Sequence, residues 1–123
     1  MHPPPDLGPV EITAYSFGRI EIDGETYTAD VIVTPERVVG NWWRRQGHSL
    51  AIADLAEIMP ARPEILVVGT GYYGRMAIPK ATRDHLEAQG IELREARTSE
   101  AVKEFNRMQR ESARVVAALH LTC

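Results

Sequence analysis

Two hydrophobic rhythms divide the chain. From Val10 to Arg44 the apolar residues come in short runs broken by turn residues, and from Leu50 onward helical spacing alternates with continuous apolar stretches. Val10 to Ser16 alternates loosely, Phe17-Gly18-Arg19 reads as a turn, and Arg19 to Ile22 ends at Asp23-Gly24. That dipeptide favours a two-residue hairpin, because both of its positions tolerate positive φ. Thr26 to Val33 is expected to continue as one strand. Thr34-Pro35-Glu36-Arg37 is a turn whose proline presets the second position, and Val38 to Arg44 is a further strand. The first half therefore predicts an antiparallel meander.

In the second half, Leu50, Ile52, Leu55, Ala56 and Met59 follow helical spacing and stop before Pro60. Ile65 to Val68 is apolar throughout, the pattern of a strand covered on both faces. Ala81 to Gln89 predicts a short helix between Pro79 and Gly90. Ile91 to Glu95 is a strand. Ser99 to Ser112 predicts a helix with Thr98 or Ser99 as cap, an apolar stripe of Ala101, Val102, Phe105 and Met108, and a charged outer face. Arg114 to Leu121 suits a strand, with Ala117-Ala118 leaving a helical continuation open. The order α-β-α-β-α-β after the meander calls for a mostly parallel sheet with crossover helices.

Trp42 and Trp43 bear on how the two halves meet. Neighbours on a strand point to opposite faces, so the two indoles cannot share one core in regular strand. Either one is exposed, or both faces are covered.

The length of 123 residues suits one domain, with residues 10–123 as its body and 1–9 (MHPPPDLGP) as a mobile, proline-stiffened tail. A hydrophobic content of 44% and a charged content of 25% are ordinary for a globular chain. The net charge of −3 argues against nucleic acid as a partner, although six acids and one base fall before Val31, leaving 13 bases against 11 acids after it. No apolar stretch reaches the roughly 20 residues that span a bilayer, and the N-terminus has no secretory apolar core. The single cysteine, Cys123, excludes an internal disulfide and fits a cytoplasmic setting.

Residues 64 to 75, EILVVGTGYYGR, contain G-x-G-x-x-G after an apolar run. A dinucleotide loop would open directly into a helix whose amides meet the pyrophosphate. Here Arg75 to Pro79 intervenes, Tyr72 and Tyr73 crowd the approach, and no second nucleotide-binding half fits. The loop reads as a tight structural turn with at most a weak anion site, and no cofactor is expected. Gly69, Thr70, Gly71 and Tyr72 remain candidates for a small ligand, with Arg44, Arg45 and Asn106 as companions. Asn41 to His48 mixes aromatics with bases, which suits an anion, stacking, or a protein interface rich in Trp and Arg. Asn106 follows Phe105 beside the apolar stripe. If buried it needs partners, with the glycine loop a candidate, and otherwise it is a surface amide. Of the four histidines none shows metal spacing, and His120 with Cys123 gives two ligands, too few for a closed zinc site. No catalytic constellation emerges.

Taken in order, Phe17-Gly18-Arg19-Ile20, Trp42-Trp43-Arg44-Arg45, Gly69-Thr70-Gly71, Thr98-Ser99-Glu100-Ala101-Val102 leading to Phe105-Asn106, and Arg114 to Leu119 resemble the Mth938-domain family. The resemblance runs from about Val10 to Leu121. It implies a three-layer α/β fold, with a mixed central sheet, helices on one side and a small antiparallel β layer on the other. The family's role is largely unassigned, and some eukaryotic members assist assembly of mitochondrial respiratory complex I. The expectation is a small binding or assembly-assisting domain without catalysis, with a protein partner met through Trp42, Trp43, Arg44 and Arg45. The alternative is a small-molecule or anion binder, or an enzyme, that uses the Gly69-Thr70-Gly71 loop.

Overall fold

The computed structural model describes residues 10–111 and 114–123. The expected mobile tail, 1–9, and the expected last helical residue, Ser112, lie outside them. Among the described residues no helix is long and apolar enough to cross a membrane.

Three strands, β1 (Ile12–Ser16), β2 (Arg19–Ile22) and β3 (Glu25–Tyr27), form an antiparallel sheet in the order β1-β2-β3. The turn between β2 and β3 is Asp23-Gly24, both residues at positive φ (49° and 86°), as the hairpin geometry requires. The main sheet has five strands in the order β5-β4-β8-β6-β7: β4 (Val31–Val33), β5 (Val38–Val39), β6 (Ile65–Gly69), β7 (Glu92–Ala96) and β8 (Val115–Leu119). β6 pairs in parallel with β7 and β8, while β4 runs antiparallel to β8 and β5. The continuous apolar runs thus mark the middle of the sheet: all five residues of β8 are buried.

The main sheet is covered on both faces. One face presents Ile32, Leu66, Val68, Val116 and Ala118 to Trp42, Leu55, Ile58 and Leu86. Leu86 belongs to α1 (Lys80–Ala88). The other presents Val31, Val33, Val67, Val115, Ala117 and Leu119 to Ile12, Ile20 and Ile22 of the small sheet and to Ala101, Val102, Phe105 and Met108 of α2 (Thr98–Gln109). The mixed sheet and the small antiparallel layer are as expected. The placement of the helices differs, since α2 shares its face with the small sheet while α1 lies opposite. Handedness explains this. The crossover β6-α1-β7 steps outward, β7-α2-β8 steps back across β6, and two right-handed crossovers in opposite directions place their helices on opposite faces.

Three local expectations are corrected. Thr26 to Val33 is not one strand. The chain leaves the small sheet after Tyr27 and enters the main sheet at Val31, and the Oδ1 of Asp30 at the crossing accepts the Leu121 amide at 2.8 Å. The strand expected to reach Arg44 stops at Val39, because Asn41 turns the backbone at φ 53° and the Trp42 amide donates to Asp30 O at 2.9 Å. Leu50 to Met59 forms no α-helix. It makes 3-10 turns at Ile52–Glu57 and Met59–Ala61, and Leu55 and Ile58, three apart, both enter the core.

Candidate functional site

One end of the main sheet gathers most of the chemically interesting side chains. β6 and β8 finish there, and β4, antiparallel to β8, starts there. The β1–β2 turn reaches the same end, since the Gly18 amide donates to Leu121 O at 2.9 Å. In open α/β sheets this carboxyl end of parallel strands is the usual place for sites.

The glycine loop folds around the segment that follows β8. Gly71 has φ 111°, and a Cβ there would stand 2.5 Å from Thr122 O; a Cβ on Gly69 would stand 2.7 Å from the Thr98 hydroxyl. The protein's own chain fills the space that a ligand's phosphate would need. The amides are spent internally as well. Thr70 N donates to Ala96 O (2.9 Å), Tyr72 N to Thr122 O (2.9 Å), Gly74 N to Gly71 O (3.2 Å) and Arg75 N to Cys123 O (3.2 Å). Gly71 N donates to the Thr98 hydroxyl at 2.9 Å, and that hydroxyl donates to His120 O at 2.6 Å. Thr98, anticipated as a helix cap, is instead the first residue of α2 and ties the loop to the end of β8.

Beside the loop lies a buried polar corner. Arg44, with its side chain 4% exposed, donates through Nη1 to Asp30 Oδ2 at 2.7 Å and through Nη2 to Gly47 O at 2.8 Å. Its guanidinium lies 5.0 Å from the centre of the Trp42 ring. His120 Nδ1 is 2.8 Å from Asp30 Oδ2 and 3.0 Å from Arg44 Nη2. A carboxylate only accepts and a guanidinium only donates, so Nδ1 cannot bond both. The shorter contact, to Asp30, assigns the proton to Nδ1; the Arg44 Nη2 approach is then not a hydrogen bond, and the neutral ring carries its lone pair on Nε2. That Nε2 is buried and has no hydrogen-bond partner, as is Arg44 Nε. Burial raises the Asp30 pKa, but hydrogen bonds from His120, the Leu121 amide and Arg44 outweigh it and hold the carboxyl below its ordinary value. Nearby, the Tyr15 hydroxyl donates to Leu121 O at 2.8 Å, and burial pushes its phenol up to about 12.

The corner carries an exposed aromatic rim. Trp42 is buried, with Nε1 donating to Asp54 O at 3.3 Å, whereas Trp43 is 84% exposed. Asp54 fixes the segment on either side, because its carboxylate accepts the amides of Arg45 (3.0 Å) and Ala51 (2.8 Å). Asn41, Trp42, Trp43, Arg44 and Arg45 line a cleft of about 410 Å³ with Asp30 at one wall. Across the C-terminal segment, exposed Phe17, Tyr72 and Tyr73 stack edge to face or tilted, with centroids 5.0–6.2 Å apart.

The sequence-derived candidates are therefore only partly united. Gly69, Thr70, Gly71, Tyr72, Arg44 and Arg45 surround one end of the sheet. Asn106 does not join them or reach the glycine loop. Its Nδ2 donates to Ile12 O (2.8 Å) and its Oδ1 accepts Ile12 N (3.0 Å), which clamps β1 onto α2. The structure also joins residues that spacing kept apart. Potential ligand atoms of His48, His120 and Cys123 lie within 4.8 Å of one another, and the two imidazole rings are 6.2 Å apart. His120-Leu121-Thr122-Cys123 is visible in the sequence, but His48 comes from a distant loop whose position no local pattern reports.

A family described as a protein of unknown function (DUF498/DUF598) matches residues 12–120. A Bordetella parapertussis protein of known crystal structure is 28% identical, with a TM-score of 0.80 over 95% of this chain and 99% of that one. A conserved hypothetical protein from Pyrococcus horikoshii OT3 is 27% identical, with a TM-score of 0.74 over 92% of this chain and 99% of its own. A Bordetella pertussis protein, described as a Mth938-like domain, is 24% identical, with a TM-score of 0.67 over 98% of this chain and 90% of that one. By the span of that family match and by its Mth938-like fold, the chain belongs to the DUF498/DUF598 family of proteins of unknown function.

Proposed function

We propose that the domain is a non-catalytic protein-binding or assembly-assisting module that docks through the aromatic rim at the carboxyl end of its sheet. The observation that carries this reading is Trp43. Its indole is 84% exposed, yet it sits between two anchored neighbours, Trp42 in the core and Arg44 in the polar corner. An exposed tryptophan on a rigid mount offers a large contact area at little ordering cost, which is how interface anchors work. Arg45 lines the cleft with Trp43, and the Arg75 guanidinium lies 5.8 Å from the centre of the Tyr73 ring, so the matching partner surface is an apolar recess bordered by acidic groups. The rival reading, a ligand loop at Gly69-Thr70-Gly71, has less support, because the amides that would meet an anion are already bonded within the chain.

Quantitative capture by wild type, Trp43→Ala and Lys103→Ala, followed by a dissociation constant for the purified partner, tests this. The expected result is at least a tenfold loss with Trp43→Ala and none with Lys103→Ala, the protein remaining equally stable in both variants. A partner bound equally well by wild type and Trp43→Ala overturns the reading.

A further inference from the structure

We propose that His48, His120 and Cys123 form a zinc-type metal site with three protein ligands and a fourth position open to water or an incoming donor. Two independent observations carry it. The first is proximity: two imidazoles and one thiol place their ligand atoms within 4.8 Å of one another. The second is His120 itself, 5% exposed, with Nδ1 held by Asp30 and Nε2 buried without any partner. A buried imidazole nitrogen with no hydrogen bond is costly unless something binds it. The pairing also fits metal chemistry. Ligating histidines usually donate their other ring N–H to a carboxylate, which fixes the tautomer and strengthens the ligand. Asp30 does that here.

The donor set selects the metal class. Two nitrogens and a sulfur suit zinc over calcium or magnesium, which take oxygen. Bonds of about 2.0–2.3 Å in a tetrahedron hold ligand atoms about 3.3–3.8 Å apart, so the cluster closes by about 1 Å. The exposed His48 and half-buried Cys123 supply that movement while His120 stays fixed. Binding releases the thiol proton to solvent, and the Cys123 thiolate and the Asp30 carboxylate offset the charge of the metal beside Arg44. Three ligands and an open position are the pattern of zinc sites that bind an exogenous ligand rather than merely brace a fold.

Titration of the reduced protein with Co²⁺, followed by displacement with Zn²⁺, is the test. Wild type should take up one equivalent, with the intense visible bands of tetrahedral cobalt and a thiolate-to-cobalt charge-transfer band. Cys123→Ser should lose the charge-transfer band, and His48→Ala, at an exposed position, should weaken binding at least tenfold while leaving the fold intact. Asp30→Asn should weaken it about 10–100-fold as the support for His120 goes. His85→Ala, on α1, should leave binding unchanged. Folded wild type that shows no thiolate band at stoichiometric cobalt, or Cys123→Ser and His48→Ala that titrate like wild type, overturns the assignment. Loss of partner capture in Trp43→Ala with cobalt binding intact would separate this site from the docking surface.

Discussion

The polar corner and the outer face of α2 are built from the same kinds of residue and differ in what surrounds them. On α2, Glu104 meets both Arg94 (2.8 Å) and Arg107 (2.9 Å), and just past its end Arg110 meets Glu11 (3.0 Å), all with side chains roughly a third or more exposed. In the corner, Arg44 and Asp30 meet at 2.7 Å with side chains 4% and 15% exposed. Water screens the first set and supplies alternative partners, so each pair contributes little. It is largely absent from the second, where each group depends on the others and removing one strands the rest. Charge at a surface tunes, whereas charge in a dry corner fixes where the chain must go: Asp30, Arg44 and the end of β8 are locked together across 76 and 90 residues of sequence.

The comparison breaks first at Arg44. Arg44→Met leaves the Asp30 carboxylate without its cation and should cost about 3–5 kcal/mol in urea unfolding. A loss below about 1 kcal/mol would make the corner no different from the surface of α2. Trp42→Ala, beneath the same guanidinium, should also cost about 3–5 kcal/mol, against about 0.5 kcal/mol or less for Trp43→Ala. Iodide should quench Trp43 and spare Trp42.

Acid sharpens the contrast. The folded-state pKa of Asp30 is lowered, so its contribution is fully present above its unfolded value of about 3.9 and is lost as pH falls through the lower folded value. The stability gap between wild type and Asp30→Asn should hold from pH 7 to about 5 and close below about pH 4. A gap that stays constant through that range would remove Asp30 from the account. Asn106→Leu is intermediate. It takes away both bonds to Ile12 and should cost about 1–3 kcal/mol, measured by urea midpoint. The smallest effect belongs to Arg110→Ala, expected within about 0.5 kcal/mol at physiological salt.

What the sequence discloses follows the range of each interaction. The hairpin at Asp23-Gly24, the buried strand at Ile65 and the apolar stripe of α2 depend on neighbours a few residues away, and all are legible. So is the strand at Val115, once the order of motifs resembles a known family. The 3-10 turns read as a helix because Leu50, Ile52, Leu55, Ala56 and Met59 carry helical spacing, whereas the core takes Leu55 and Ile58, three apart, and leaves Ile52 exposed. Thr26 to Val33 reads as one strand because nothing local announces that Asp30 will be held by Leu121. The corner and the His48–His120–Cys123 cluster are out of reach for the same reason. Each joins segments that meet only after the sheet has formed, and a histidine or arginine there looks like any solvated one.

β8 occupies the middle of the main sheet although it is the last strand in chain order, with β4 on one side and β6 on the other. During synthesis, both of those edges leave the ribosome before anything exists to pair with them. A nascent chain cannot lock its core strand by strand, and the apolar residues of β4 and β6 stand as open templates for wrong partners until residues 115–121 emerge. Final assembly is then a single closing event, in which the same arriving segment completes the sheet and brings His120 to Asp30 and Thr122 to the glycine loop.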